Sequence, residues 1–237
     1  MTDNIIKDYT DLALKTELKD YMIKLIPVQF RKLHATMGIS TEIAELVGSK
    51  DGLNTAEEIG DVFYYIAILC KVLNIEFDEL LSNTKADCSQ EVQALSLCII
   101  WSGMLLDLSK KEIFYKEKID DEEFIEILKK VVAFLQAFIH LKSLKLENTL
   151  LKNIAKLDKR YGGSFSTDKA INRDLEAELK ILSDTDYKYF TISSKNYFSI
   201  PSKDAEKLKN TFIIVDGKKM SRYEYLKQQL EDVNILS

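Results

Sequence analysis

Along most of this chain apolar positions recur at three- and four-residue spacing, the period of a helix with one face in a core. Residues 3–25 carry Ile6, Leu12, Leu14, Leu18, Met22 and Leu25, and Pro27 interrupts the pattern. A second helix is predicted over 28–47. After a turn-like Ser49-Lys50-Asp51-Gly52, Asn54 or Thr55 can cap a third helix to about residue 73, with Glu57 and Glu58 in its first turn, where negative charge is favoured. Further helices are predicted over 77–81, 89–111, from a cap at Asp120 or Asp121 to His140, over 146–160, and, after Tyr161-Gly162-Gly163-Ser164, over 167–182. From residue 183 the period changes. Aromatic and β-branched residues cluster in 187–192, 197–200 and 211–215, Asp216-Gly217 is a hairpin signal, and Ser221 can cap a last helix to about residue 232. The pattern defines a helical domain, 1–182, and a small mixed α/β appendage, 183–237.

The helical pattern repeats within itself. Residues 96–153 resemble 34–84: 39–47 match 101–109, and 62–81 match 131–150 after seven inserted residues. On this match Met104 and Asp107 stand in the places of Glu42 and Glu45, and Ile127 and Lys130 in those of Glu58 and Asp61. One reading is an internally duplicated pseudo-dimer whose second copy has lost its acids. The other is the ordinary likeness of two amphipathic hairpins.

Composition agrees with helix, with two prolines and eight glycines in 237 residues. A net charge of −5 and a pI near 5.3 give no general attraction for nucleic acid polymers or an anionic membrane, so an anionic ligand needs a local patch or a metal. Cys70, Cys88 and Cys98 lack metal-ligand or C-x-x-C spacing and read as reduced structural thiols. The N-terminus lacks the order of a signal peptide, and the most apolar run, 94–108, is too short for a bilayer. A soluble, cytoplasmic protein is expected.

The candidate chemistry lies in residues 34–65. Glu42-x-x-Glu45 and Glu58-x-x-Asp61 each place two carboxylates on one helix face, and a hairpin between them turns all four toward one volume. Two such charges about 5 Å apart repel by roughly 3 kcal/mol at an effective dielectric near 20. The acids therefore take up protons, splay into solvent or hold cations. Oxygen ligands of this kind suit Mg²⁺, which bridges protein carboxylates to phosphates and activates water for attack on phosphorus. Cations for a leaving group occur downstream, at Lys156 and Arg160, which share one helical stripe with the polar Asn153, and at Arg173.

The quartet with its Glu-Glu-x-Gly-Asp second half resembles the MazG-like, all-α nucleoside triphosphate pyrophosphohydrolase family. Asp8-Tyr9 with Ala13 and Thr16 is similar to that family's N-terminal pattern, and NIAKLDKRYGGSFSTDKAINRDLEAE, residues 153–178, to its C-terminal signature. The resemblance covers roughly residues 5–85 and 146–182. It implies a helical bundle binding Mg²⁺, with Mn²⁺ as a substitute, through Glu42, Glu45, Glu58 and Asp61. The implied reaction splits a (deoxy)nucleoside triphosphate into monophosphate and pyrophosphate, with Lys156 and Arg160 on the phosphates and Asn153 and Arg173 as helpers. Residues 86–144 and the tail depart from the family pattern. The nucleotide is the expected partner, and a homodimer is compatible with such a bundle.

Around the quartet, Glu57 reads as helix N-terminal charge. His34, two turns before Glu42, is placed either to approach base or sugar or to pack beside the site. His140 and Trp101 read as structural, and Glu122, Glu123 and Glu126 as cap and surface charge. A second function class, a non-catalytic nucleotide-binding regulator or sequestering protein, uses the same residues without turnover.

Overall fold

In the computed structural model, residues 5–17, 26–162, 165–184, 188–193, 196–200, 212–215 and 218–221 are described, and they are mainly helical. The helices are α1 (Ile5–Leu14), α2 (Val28–Val47), α3 (Gly52–Leu73), α4 (Phe77–Ser82), α5 (Glu91–Lys110), α6 (Asp121–Leu141), α7 (Leu146–Tyr161), α8 (Thr167–Ile171) and α9 (Leu175–Ser183). A π-helical turn, Lys111–Tyr115, extends α5. The chain forms two compact units, Asn4–Glu178 and a second one from Leu179 onward, together with Met1–Asp3.

Local chemistry explains where these elements stop and start. The first helix is shorter than the apolar pattern predicts, because the amides of Lys15, Thr16 and Glu17 bond three residues back, to Leu12, Ala13 and Leu14, and close the turn. Leu18, Met22 and Leu25 lie outside the described residues. Asp51, not Asn54 or Thr55, caps α3: its backbone is extended and its carboxylate accepts from the Asn54 amide at 2.8 Å. At the other end of the first unit Gly162, at φ 60°, takes the left-handed conformation that ends α7. The single helix expected over 167–182 is broken, because Asn172 leaves helical geometry and Asp174 accepts from the Ala177 amide at 3.2 Å, starting α9.

Ile39, Ile43 and Leu46 of α2 and Ile59, Val62, Phe63 and Ile66 of α3 are essentially inaccessible to solvent. The short Gly48–Asp51 connection makes α2 and α3 a hairpin. Helices α1 and α7 close on α3, and Tyr9 stacks at 5.1 Å on Phe77, which meets Phe63 edge-on. A Cβ at Gly60 would stand 2.9 Å from Asn153 Cβ, so this glycine lets α3 and α7 approach closely.

On its other side α2 packs against α5, where Thr36 Oγ1 donates to Ser109 Oγ at 3.0 Å and Ser40 Oγ to the Ser102 carbonyl at 3.2 Å. The π turn carries Glu112 to the buried amine of Lys32 (3.2 Å), which also meets Asp121 at 2.7 Å. Together α5 and the π turn make a continuous 25-residue stretch long and apolar enough, by length and composition, to cross a membrane. This is longer than the run of 94–108 implies. One face of it, with Ala94, Cys98, Ser102, Leu105 and Leu108, is buried in the helical unit.

In the second unit β1 (Lys188–Ser193) pairs antiparallel with β2 (Asn196–Ile200), and β3 (Phe212–Val215) with β4 (Lys218–Ser221). Lys188 lies opposite Ile200, and Val215 opposite Lys218. Ser221 ends β4, and the helix expected to follow it, like the Asp216-Gly217 turn, lies outside the described residues.

Two glycines test the packing. A Cβ at Gly38 would fall 2.2 Å from Tyr65 Cδ1, whereas one at Gly103 meets nothing within 4 Å. Gly38→Ala is expected to lower unfolding stability by about 1–3 kcal/mol, and Gly103→Ala to leave it unchanged or raise it by up to about 1 kcal/mol, both read by urea titration.

Candidate metal centre

The α2–α3 hairpin brings Glu42, Glu58 and Asp61 together, each offering a carboxylate oxygen within 4.8 Å of the others. Their spacing on one face of each helix and the short connection through Gly48–Asp51 turn them toward one another. Glu58 is buried at 8% exposure and accepts from Asn54 Nδ2 at 2.6 Å. Glu45, the fourth acid of the sequence pattern, stands one turn from Glu42 and is exposed. It is not part of the close trio, yet its charge acts on Glu42 and Glu58.

Behind the trio lies a polar support. Asn153 Nδ2 donates to Asp61 Oδ1 at 2.7 Å, and Lys156 Nζ to Asp61 Oδ2 at 2.5 Å and Glu57 Oε1 at 3.2 Å. Tyr9 Oη donates to Asn153 Oδ1 at 2.8 Å, with the Gly60 carbonyl 3.3 Å away. Lys156 has no exposure at all. Burial alone pushes its amine toward neutrality, but the Asp61 and Glu57 carboxylates more than offset this and hold it charged.

The remaining cations form a second cluster. Arg160 grips Glu178 with two hydrogen bonds, at 2.9 and 2.7 Å, and Arg173 Nη2 reaches the same carboxylate at 2.7 Å. Burial raises the Glu178 pKa, but these two guanidinium groups win and pull it down to about 2. Arg173 also lies 4.0 Å from Glu57. His34 is exposed, its ring edge-on to Tyr65 with centroids 5.5 Å apart.

The structure thus gathers Asn153 and Lys156 at the acids, sets Arg160 and Arg173 on Glu178 beyond them, and leaves His34 against Tyr65 with Glu17 and Arg31 as its charged neighbours. The sequence pattern offers Asn54 as a helix cap and Glu57 as a terminal charge, places Tyr9, Gly60 and Glu178 within family-like stretches without a role of their own, and gives Tyr65 none. Gly60 carries a physical signal of its own, since a glycine inside a helix costs about 1 kcal/mol and marks a close approach.

One lysine does not neutralise the trio. Burial first, then Asp61, Glu45 and Glu58, push Glu42 up to about 8, and burial with Asp61 pushes Glu58 up to about 7. Three converging carboxylates, short of positive charge and partly shielded from water, are a donor set that fits a hard divalent cation such as Mg²⁺ or Mn²⁺.

No family model, no curated protein and no solved structure matches the chain.

Without a cation the folded protein retains protons on Glu42 and Glu58 that the unfolded chain releases near pH 4.5. Stability from these groups is then fully present below that pH and is lost as pH rises to about 8. Glu178, at about 2, titrates below this window. Melting temperature in chelator is expected to fall from pH 5 to pH 8, and Mg²⁺ is expected to flatten the fall by mass action. In the same assay Lys156→Met is expected to cost about 1–3 kcal/mol, because the part-exposed Asp61 and Glu57 lose their shared cation while Asn153 still holds Asp61, and Mg²⁺ to recover part of the loss.

Proposed function

We propose that this chain is a Mg²⁺-dependent pyrophosphohydrolase of the MazG-like all-α type, cleaving a (deoxy)nucleoside triphosphate to monophosphate and pyrophosphate in the cytoplasm, for nucleotide pool cleaning or control. The observation that carries this reading is the trio Glu42, Glu58 and Asp61, charge-deficient and backed by Lys156, with an arginine pair placed beyond it. The trio and the arginine pair are joined by ion pairs through Lys156, Glu57 and Arg173.

Glu42, Glu58 and Asp61 would hold the cation, which would supply positive charge to phosphate oxygens and acidify water. Asn153 and Lys156 each occupy one Asp61 oxygen and fix its orientation, so Lys156 acts through Asp61 rather than on phosphate directly. Glu45, exposed beside the trio, is the carboxylate left to take a proton from attacking water at its Oε. Arg160 and Arg173 receive the charge of the departing pyrophosphate. His34 and Tyr65 edge the space where a base or sugar would lie.

The pseudo-dimer reading gains support from the α2–α5 contact. Ser40 and Ser102, which touch, are 62 positions apart, the same offset that relates Glu42 to Met104, as two helices crossing on a pseudo-twofold axis require. Asp107, at the place of Glu45, is engaged by Lys110 and by Lys111 at 2.9 Å. Among the described residues that half has no acidic cluster. A nucleotide-binding regulator is the second reading, favoured by one observation: both arginines are already held by Glu178.

Purified protein with Mg²⁺ and a panel of nucleoside triphosphates is expected to release pyrophosphate. Asp61→Asn is expected to lower the rate by roughly 10²-fold or more with helical circular dichroism unchanged. Orthophosphate as the sole inorganic product overturns the reaction, and tight nucleotide binding without product selects the regulator.

A further inference from the structure

Two arginines converge on one carboxylate that is 3% exposed, Glu178, and none of the three is isolated. Asp61, Lys156, Glu57, Arg173, Glu178 and Arg160 form a line of alternating charge, linked at 2.5, 3.2, 4.0, 2.7 and 2.7 Å. The line starts at the acidic trio and ends on the arginine pair. Glu178 is three residues beyond the start of α9, on the far side of the break at Asn172–Asp174 from the helices that build the acidic site. The pair Arg160 and Arg173 therefore sits on two different segments and is drawn together by an anion supplied by a third.

Two guanidinium groups sharing a carboxylate are the geometry with which proteins bind phosphate, since both anions offer oxygens to the fork of an arginine. We propose that Glu178 is a resident carboxylate in a polyphosphate subsite: it closes the arginine pair when no substrate is bound, and the terminal phosphates of a nucleotide or free pyrophosphate displace it. The proposal deepens the reading of the site as a triphosphate hydrolase and rests on it for the identity of the natural ligand. The exchange keeps both arginines paired, one anion leaving Arg160 and Arg173 as a more highly charged one arrives. Loss of Glu178 without a replacement leaves two cations facing each other, so the latch opens only when an anion is present. The same logic explains why the arginines are held close before substrate arrives: repulsion between them is suppressed by the side chain that later gives way.

Displacement frees Glu178, and with it the first turn of α9, from Arg160 of α7.

The test uses the full chain, metal-free, with inorganic pyrophosphate as probe. Glu178→Gln removes the competing charge and is expected to bind pyrophosphate at least about tenfold more tightly than wild type by calorimetry. In wild type, pyrophosphate is expected to accelerate amide hydrogen exchange across Leu175–Ser183. Equal or weaker binding by a Glu178→Gln protein with wild-type circular dichroism overturns the proposal, as does unchanged or slower exchange in α9. If the variant does not fold, the wild-type exchange result decides alone. The two readings fail separately: nucleotide hydrolysis with α9 exchange unchanged removes the latch and keeps the enzyme, whereas α9 release by pyrophosphate without any nucleotide hydrolysis keeps the latch and removes the enzyme.

Discussion

Repulsion among Glu42, Glu58 and Asp61 is the constraint around which the helical unit is built. Three carboxylates with oxygens within 4.8 Å of one another resist the hairpin that gathers them. The hairpin forms because Ile39, Ile43, Ile59, Val62 and their neighbours bury apolar area on its inner face. The acids ride on helices whose positions are set by that core. They are held in an electrostatic state the surroundings only partly relieve, as the raised pKa values of Glu42 and Glu58 record. Relief from within comes through the fully buried Lys156, and the remainder is available to a cation.

Lys156 can stand there because the packing on its side of α3 is unusually close. Gly60 admits α7, Asn153 then reaches Asp61, and Tyr9 from α1 holds Asn153. A side chain at position 60 would separate these helices and cut both supports of Asp61 at once. The first and seventh helices thus serve the chemistry without contributing a ligand. Beyond Lys156, Glu57 and Arg173 carry the alternation of charge to Arg160 and Glu178, so a single electrostatic chain links the acids of α2 and α3 to the start of α9.

The hairpin and its acids were legible in the sequence because they depend on short-range information: helical period, a turn between two amphipathic segments, and pairs three residues apart. The same is true of the break in period at residue 183. Of the supports, Asn153 and Lys156 were reached through their helical stripe and the resemblance of residues 153–178, as phosphate ligands and not as partners of Asp61, and Tyr9 was given no such part. Tyr9 meets Asn153 across 144 positions and Lys156 meets Asp61 across 95, and no local pattern specifies which polar residues such distances bring together. Helix ends failed for a different reason. Asp51 and Asn54 are equally good caps by type, and backbone geometry chose the first, which left Asn54 to bind Glu58. The break before α9 was missed because Asn172 and Asp174 interrupt an otherwise helical composition only through their side-chain bonds.

Whether the acidic trio is a cation site is decided most directly by counting the protons it gives up. Calorimetric titration of Mg²⁺ into the metal-free protein at pH 7, repeated in buffers of different ionisation enthalpy, reads that number without reference to any substrate. Glu42 and Glu58, with pKa values near 8 and 7, are expected to release on the order of one proton per protein as the cation binds, so the apparent heat varies with the buffer. Binding with a heat independent of buffer, or no binding at millimolar Mg²⁺, contradicts the assignment of these three carboxylates as the metal site.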